Sequence, residues 1–158
     1  MRVYVNIFLK LTSILYTHLL AYTVFGARRR WYYDANEIRE IGNWMPLYVK
    51  VENWPKWEPF SHSFNEFYLD LFGNIVLFIP FPFFLFFIFQ VSSWKKLVVL
   101  SAGASLCIEI NQYYWGIGVT DVDDLLLNTF GGLIGAGLLQ TLLNNKRFQT
   151  YAYPDFRH

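Results

Sequence analysis

The chain has 158 residues, enough for one domain, with 54% hydrophobic, 21% aromatic and only 16% charged residues. A soluble domain carries about a quarter charged residues, so this composition argues against a water-soluble globule. The net charge of +1 says nothing about partners; the sequence carries no basic stripe for nucleic acid, and a single cysteine, Cys107, excludes an internal disulfide framework and metal-binding cysteine pairs.

The apolar residues are clumped, and a bilayer core roughly 30 Å thick needs about 20 of them per helix. The first such window is 4–26, "YVNIFLKLTSILYTHLLAYTVFG", interrupted by Lys10 and His18 and followed by Arg28, Arg29 and Arg30. A cleaved signal peptide would need a cleaner apolar run, so a retained helix is the better reading. Residues 27–70 form the long connection. Pro46, Pro55 and Pro59 break it up, "DANEIREIG" (34–42) suits a short helix, and Trp31, Tyr32, Tyr33, Trp44, Tyr48, Trp54 and Trp57 suit the headgroup zone. The second window, 71–89, "LFGNIVLFIPFPFFLFFIF", is nearly pure hydrocarbon and aromatic. "QVSSWKK" leads to the third, 97–115, and "GIGVTDVD" to the fourth, 124–143; a polar tail follows. Lipid admits only helices or closed barrels, and these windows lack the alternation of barrel strands. The expected fold is all-α, one domain over 1–158: an integral membrane four-helix bundle with an aromatic-rich loop between helices 1 and 2.

Counting helices sorts the polar residues without regard to orientation. The end of helix 1, the start of helix 2, the end of helix 3 and the start of helix 4 share one membrane face. Arg28 to Arg30, Asn74, Glu109, Gln112, Asp121, Asp123 and Asp124 gather there, and Lys95, Lys96, Lys146 and Arg147 at the opposite face. By a thin margin of Lys and Arg the termini are expected to be cytoplasmic, with the acids facing outward.

Helical spacing organises that face. On helix 4, Asp121, Asp124, Asn128, Gly131 or Gly132, and Gly135 recur at steps of three or four, polar outside and bare backbone deeper. Gly131 with Gly135, and Gly132 with Ala136, are spaced for close helix packing in lipid. On helix 3, Ala102, Ser105, Glu109 and Gln112 form a matching stripe, and the two should pack as an antiparallel pair with Asn74 joining from helix 2. Glu109 lies about 9 Å in from its helix end. An ionised carboxylate there is costly against lipid, so it must be protonated, hydrated or paired, with Arg28, Arg29 and Arg30 the nearest bases by topology. Three readings stand side by side: polar groups that fix bundle register, a pocket for a lipid headgroup or cell-wall precursor, and a divalent-cation site of carboxylate oxygens. No catalytic residue is assigned. Ser101 and Ser105 have no base nearby in sequence, His18 is isolated, and "GGLIGAG" (131–137) lacks the strand and lysine of a phosphate loop.

Three blocks carry a family resemblance. They are "NWMPL" (43–47), "GNIVLFIPF" (73–81) and "EINQYYWGIGVTDVDDLLLNTFGGLIG" (109–135), the last with spacing that spans two helices. Across roughly 43–137 the chain resembles VanZ-like membrane proteins, the matched polar positions being Asn43, Asn74, Glu109, Gln112, Asp121, Asp124, Asn128, Gly131 and Gly132. Gly118 and Pro82 stand where many relatives carry Arg and Gly. The resemblance implies a four-helix protein of the bacterial cell envelope and, for the archetype, lowered susceptibility to teicoplanin; it does not imply an enzyme. Expected partners are membrane lipids and a cell-wall precursor or lipoglycopeptide. No organic cofactor is expected, and a divalent cation stays open.

Overall fold

A computed structural model describes residues 2–26, 42–47, 51, 62–116, 118, 120–146 and 148. Arg28, Arg29 and Arg30, the expected helix at 34–42 and most of the aromatic connection lie outside the described residues. The described residues form five helices and no strand: α1 (Arg2–Gly26), α2 (His62–Phe78), α3 (Phe81–Phe89), α4 (Trp94–Trp115) and α5 (Val122–Leu143). The all-α membrane bundle expected from composition is therefore the fold.

Two expectations change. Helix 2 begins at His62 rather than near 71. A hydropathy window stops where polar residues begin, whereas backbone hydrogen bonding continues through "HSFNEFYLD" into the lipid-facing part. Its apolar run is also broken in two. Pro80 caps α3 and Pro82 sits in its first turn, and neither has an N–H to continue the ladder. α3 ends at Gln90, whose φ of 59° turns the chain out.

Among the described residues, three stretches are long and apolar enough to cross a membrane: Tyr4–Gly26, Phe67–Phe89 across the break, and Val122–Leu143. The fourth expected span, α4, is as long as α5 at 22 residues but carries Lys95, Lys96 and Glu109 and does not meet that criterion. It is nevertheless about 33 Å long, with a tryptophan at each end.

The helices pair through their buried stripes. α4 runs antiparallel to α5: Glu109 lies at the level of Asp121, Ser105 of Asn128 and Ser101 of Gly132. α2 runs parallel to α5, with Asn74 at Asp124 and Ile75 at Gly131. The buried member of the α4 stripe is Ser101, not Ala102, which is only half-buried. The two glycine pairs of α5 serve different neighbours. A Cβ at Gly131 or Gly135 would overlap the carbonyl oxygens of Ile75 and Ile79 on α2's side. A Cβ at Gly132 would overlap Ser101 of α4. Gly135 also faces Pro82, which is fully buried. The apolar core lies away from the acids, where Phe78, Phe86, Leu97, Ala136 and Leu139 are fully enclosed.

α1 leans on α3. The Tyr16 hydroxyl donates to the Leu77 carbonyl at 2.8 Å, beside the proline break that interrupts the helical ladder. This gives the Leu77 carbonyl a side-chain donor next to the break.

Candidate functional site

The acidic end of the bundle is built on the first turn of α5. Asp121 is its N-cap, accepting from the Asp123 N–H at 2.8 Å. Asp123 and Asp124 follow in the first turn, where the helix dipole favours negative charge. The α4–α5 turn becomes possible at Gly116, whose φ of 61° closes α4 with its N–H on the Gln112 and Tyr113 carbonyls.

A strap formed by residues 42–47 crosses this turn. Asn43 and Asp121 make an isolated parallel bridge, with Asn43 N–H donating to the Thr120 carbonyl at 2.8 Å and Val122 N–H to the Asn43 carbonyl at 3.0 Å. The Asn43 amide donates to Asp121 Oδ1 at 2.8 Å and to Asp123 Oδ2 at 3.2 Å. The Leu47 N–H donates to Asp123 Oδ1 at 2.6 Å. Asp123, wholly enclosed, thus binds the strap with both oxygens.

Glu109 is buried on α4 and accepts from the Asp121 N–H at 2.9 Å. One turn deeper, the Asn128 amide donates to the Ser105 hydroxyl at 2.9 Å. Asn74 donates to Asp124 Oδ1 at 2.6 Å, tying α2 to the same turn. Gln112 turns the other way and donates to the Val24 carbonyl near the end of α1 at 3.2 Å. The amide oxygens of Gln112 and Asn128 are buried acceptors with no donor among the described residues.

Asn74, Glu109, Asp121, Asp124 and Asn128 therefore come together between α2, α4 and α5, while Gln112 belongs to the α1–α4 contact. Three acids that are only half-buried, Asp70, Asp121 and Asp124, each place a carboxylate oxygen within 4.8 Å of the others. They line the half-buried part of the site, where Asp121 and Asp124 also accept from Asn43 and Asn74. Such a set of oxygens matches the preferences of Mg²⁺, Mn²⁺ or Ca²⁺ and equally suits a cationic head group.

The polar stripes left out Asp70 and Asp123, and Asn43 entered only through the resemblance. Asp70 could have been found as the residue one turn before Asn74, had helix 2 been extended into its polar start. Asp123 carried no such signal. It lies off the Asp121–Asp124–Asn128 stripe, and its partners come from a strap 76 and 80 residues away in sequence.

The VanZ/LLP1 family model matches residues 13–143, taking in most of α1 as well as the three blocks of sequence resemblance. A stretch of 92 residues is 32% identical to "Protein VanZ" of Enterococcus faecium and covers 56% of each chain, so the chain spans little more than half the length of that relative. No solved structure matches the chain.

Proposed function

The chain belongs to the VanZ/LLP1 family of membrane proteins, and from that premise we propose that it is a bacterial cell-envelope component that lowers susceptibility to glycopeptides such as teicoplanin. It does so by engaging an amphipathic or lipid-linked ligand at its acidic end. The observation that carries this reading is the clustering of carboxylate oxygens at a half-buried mouth. Asp123 binds the strap with both oxygens and Glu109 accepts the Asp121 N–H. Asp70, Asp121 and Asp124 remain half-buried at the mouth. A ligand's polar head meets these three oxygens while its acyl part lies along the exposed apolar flanks of α1, α2 and α4.

The test is teicoplanin susceptibility of a sensitive Gram-positive host expressing the chain. We expect the inhibitory concentration to rise with the native chain and to fall back with Asp70→Asn or Asp124→Asn at equal membrane abundance. Asparagine at 124 can still accept from Asn74, so the variants remove charge rather than the α2–α5 tie. An unchanged inhibitory concentration with the native chain overturns the reading.

The proximity of the three oxygens supports a second reading, an enzyme that uses a divalent cation to act on lipid phosphates. In that case Mg²⁺ or Mn²⁺ raises the melting temperature of the purified protein, a chelator reverses it, and Asp70→Asn abolishes the shift.

A further inference from the structure

The strap over the acidic mouth has a second face. Trp44, Met45 and Leu47 are 61, 61 and 53% exposed, and Pro46 lies between them, so four consecutive residues present an uncharged tip. Such a tip on a wet loop would ordinarily be flexible. This one is held at both ends. Asn43 is bonded to Thr120, Val122, Asp121 and Asp123, and Met45 N–H donates to Asn43 Oδ1 at 3.2 Å. At the other end Leu47 has a φ of 60°, a left-handed conformation that a branched side chain avoids, with its N–H on the buried Asp123 carboxylate. Trp44 meets Tyr113 edge to face, ring centroids 5.6 Å apart.

Tyr113 belongs to the last turn of α4, where Tyr114 and Trp115 are also exposed; Tyr22 and Phe25 are exposed at the corresponding end of α1. Amphipathic aromatics gather where membrane helices leave the acyl layer. The tip is thus continuous with the aromatic rim of the membrane-crossing surface.

We propose that the Asn43–Leu47 strap is a membrane-interface anchor. Trp44, Met45 and Leu47 seat in the boundary between headgroups and acyl chains of the leaflet at the acidic end, and Asp123 is the positioning residue that latches the tip in place. Docked in this way, the strap holds Asp70, Asp121 and Asp124 at headgroup depth, so that a lipid-borne ligand reaches them sideways from the leaflet. The anchor itself does not depend on the glycopeptide reading, because its partner is the bilayer.

The test uses the full chain in nanodiscs of phosphatidylglycerol and phosphatidylethanolamine, with the exposed Cys107 replaced (Cys107→Ala) and a nitroxide on Met45→Cys. The label should be several-fold more accessible to oxygen, which partitions into lipid, than to a water-soluble nickel chelate. Greater accessibility to the chelate overturns the proposal, and so does protection from both, which would mean that protein covers the tip. Adding Asp123→Ala should loosen the label and raise its exposure to the chelate. Where that variant fails to fold, Asn43→Ala removes the side-chain bonds to Asp121 and Asp123 while keeping the buried carboxylate. A label that stays immobile and at the same depth in the folded variant overturns the latch. Membrane docking is read by depth and the resistance reading by growth, so either can fail alone.

Discussion

Asp123 and the glycines of α5 show how far one position constrains the chain. A carboxylate at 123 is wholly enclosed, and burial on that scale requires donors. It finds them in a strap that sequence spacing cannot connect to it. The glycines show the opposite case, since small residues at helical intervals announce close approach even when the neighbour is unknown. Their local context separates them sharply. A methyl group at Gly135 would overlap the Ile79 carbonyl oxygen and press on Pro82, whereas one at Gly137 would meet nothing within 4 Å. We therefore expect Gly135→Ala to destabilise the detergent-solubilised protein by about 1–3 kcal/mol, the range for overpacking a tight contact. Gly137→Ala should be neutral or slightly stabilising, because alanine is the better helix former. Thermal unfolding of the pair is the measurement, and equal melting temperatures would mean that α5 does not touch the α2–α3 break through Gly135.

Among the elements, the broken helix of residues 62–89 departs most from its sequence reading. Its hydrophobicity marked a span, and Pro80 and Pro82 were visible within it. What the prolines would do was not legible, because a proline in lipid can either kink a helix or end it, depending on which neighbours satisfy the freed carbonyls. Between the carbonyls of Val76 and Phe78 that the prolines leave without a ladder donor, α1 places the Tyr16 hydroxyl on Leu77. Removing it leaves a partly buried carbonyl without that donor, and such a loss costs about 1–3 kcal/mol. Tyr16→Phe, which preserves the ring, should lower the melting temperature accordingly and loosen α1. Proteolysis of α1 in detergent should then be faster than in the native chain. If both quantities are unchanged, the hydroxyl is not what holds α1 to the break.

At the scale of the whole molecule, orientation is proposed from a thin margin of Lys and Arg between the two ends. Exposed Lys95 and Lys96 begin α4, and the acidic mouth lies at its other end. With the lysine end proposed as cytoplasmic, Tyr114→Cys in a Cys107→Ala chain should react with a membrane-impermeant maleimide on intact cells, and Lys96→Cys only after lysis; the reverse pattern would invert the topology. The sequence alone determined the fold class, the approximate location of three membrane-length segments, the gathering of Asn74, Glu109, Asp121, Asp124 and Asn128 at one end, and the family. These follow from hydropathy, from a period of 3.6 residues and from counting helix ends, all of them local or additive properties. The tertiary structure decided which neighbour each face meets. Consecutive residues on a helix point about 100° apart, so Gly131 and Gly132 could each face a different helix, and only packing assigned one to Ile75 and the other to Ser101. It also decided which distant donors each acid meets. The choice between Asp123 and Asp124 depends on donors from residues 43–47 and 74, and contacts that distant in sequence are set by the folded bundle rather than by any periodicity along the chain.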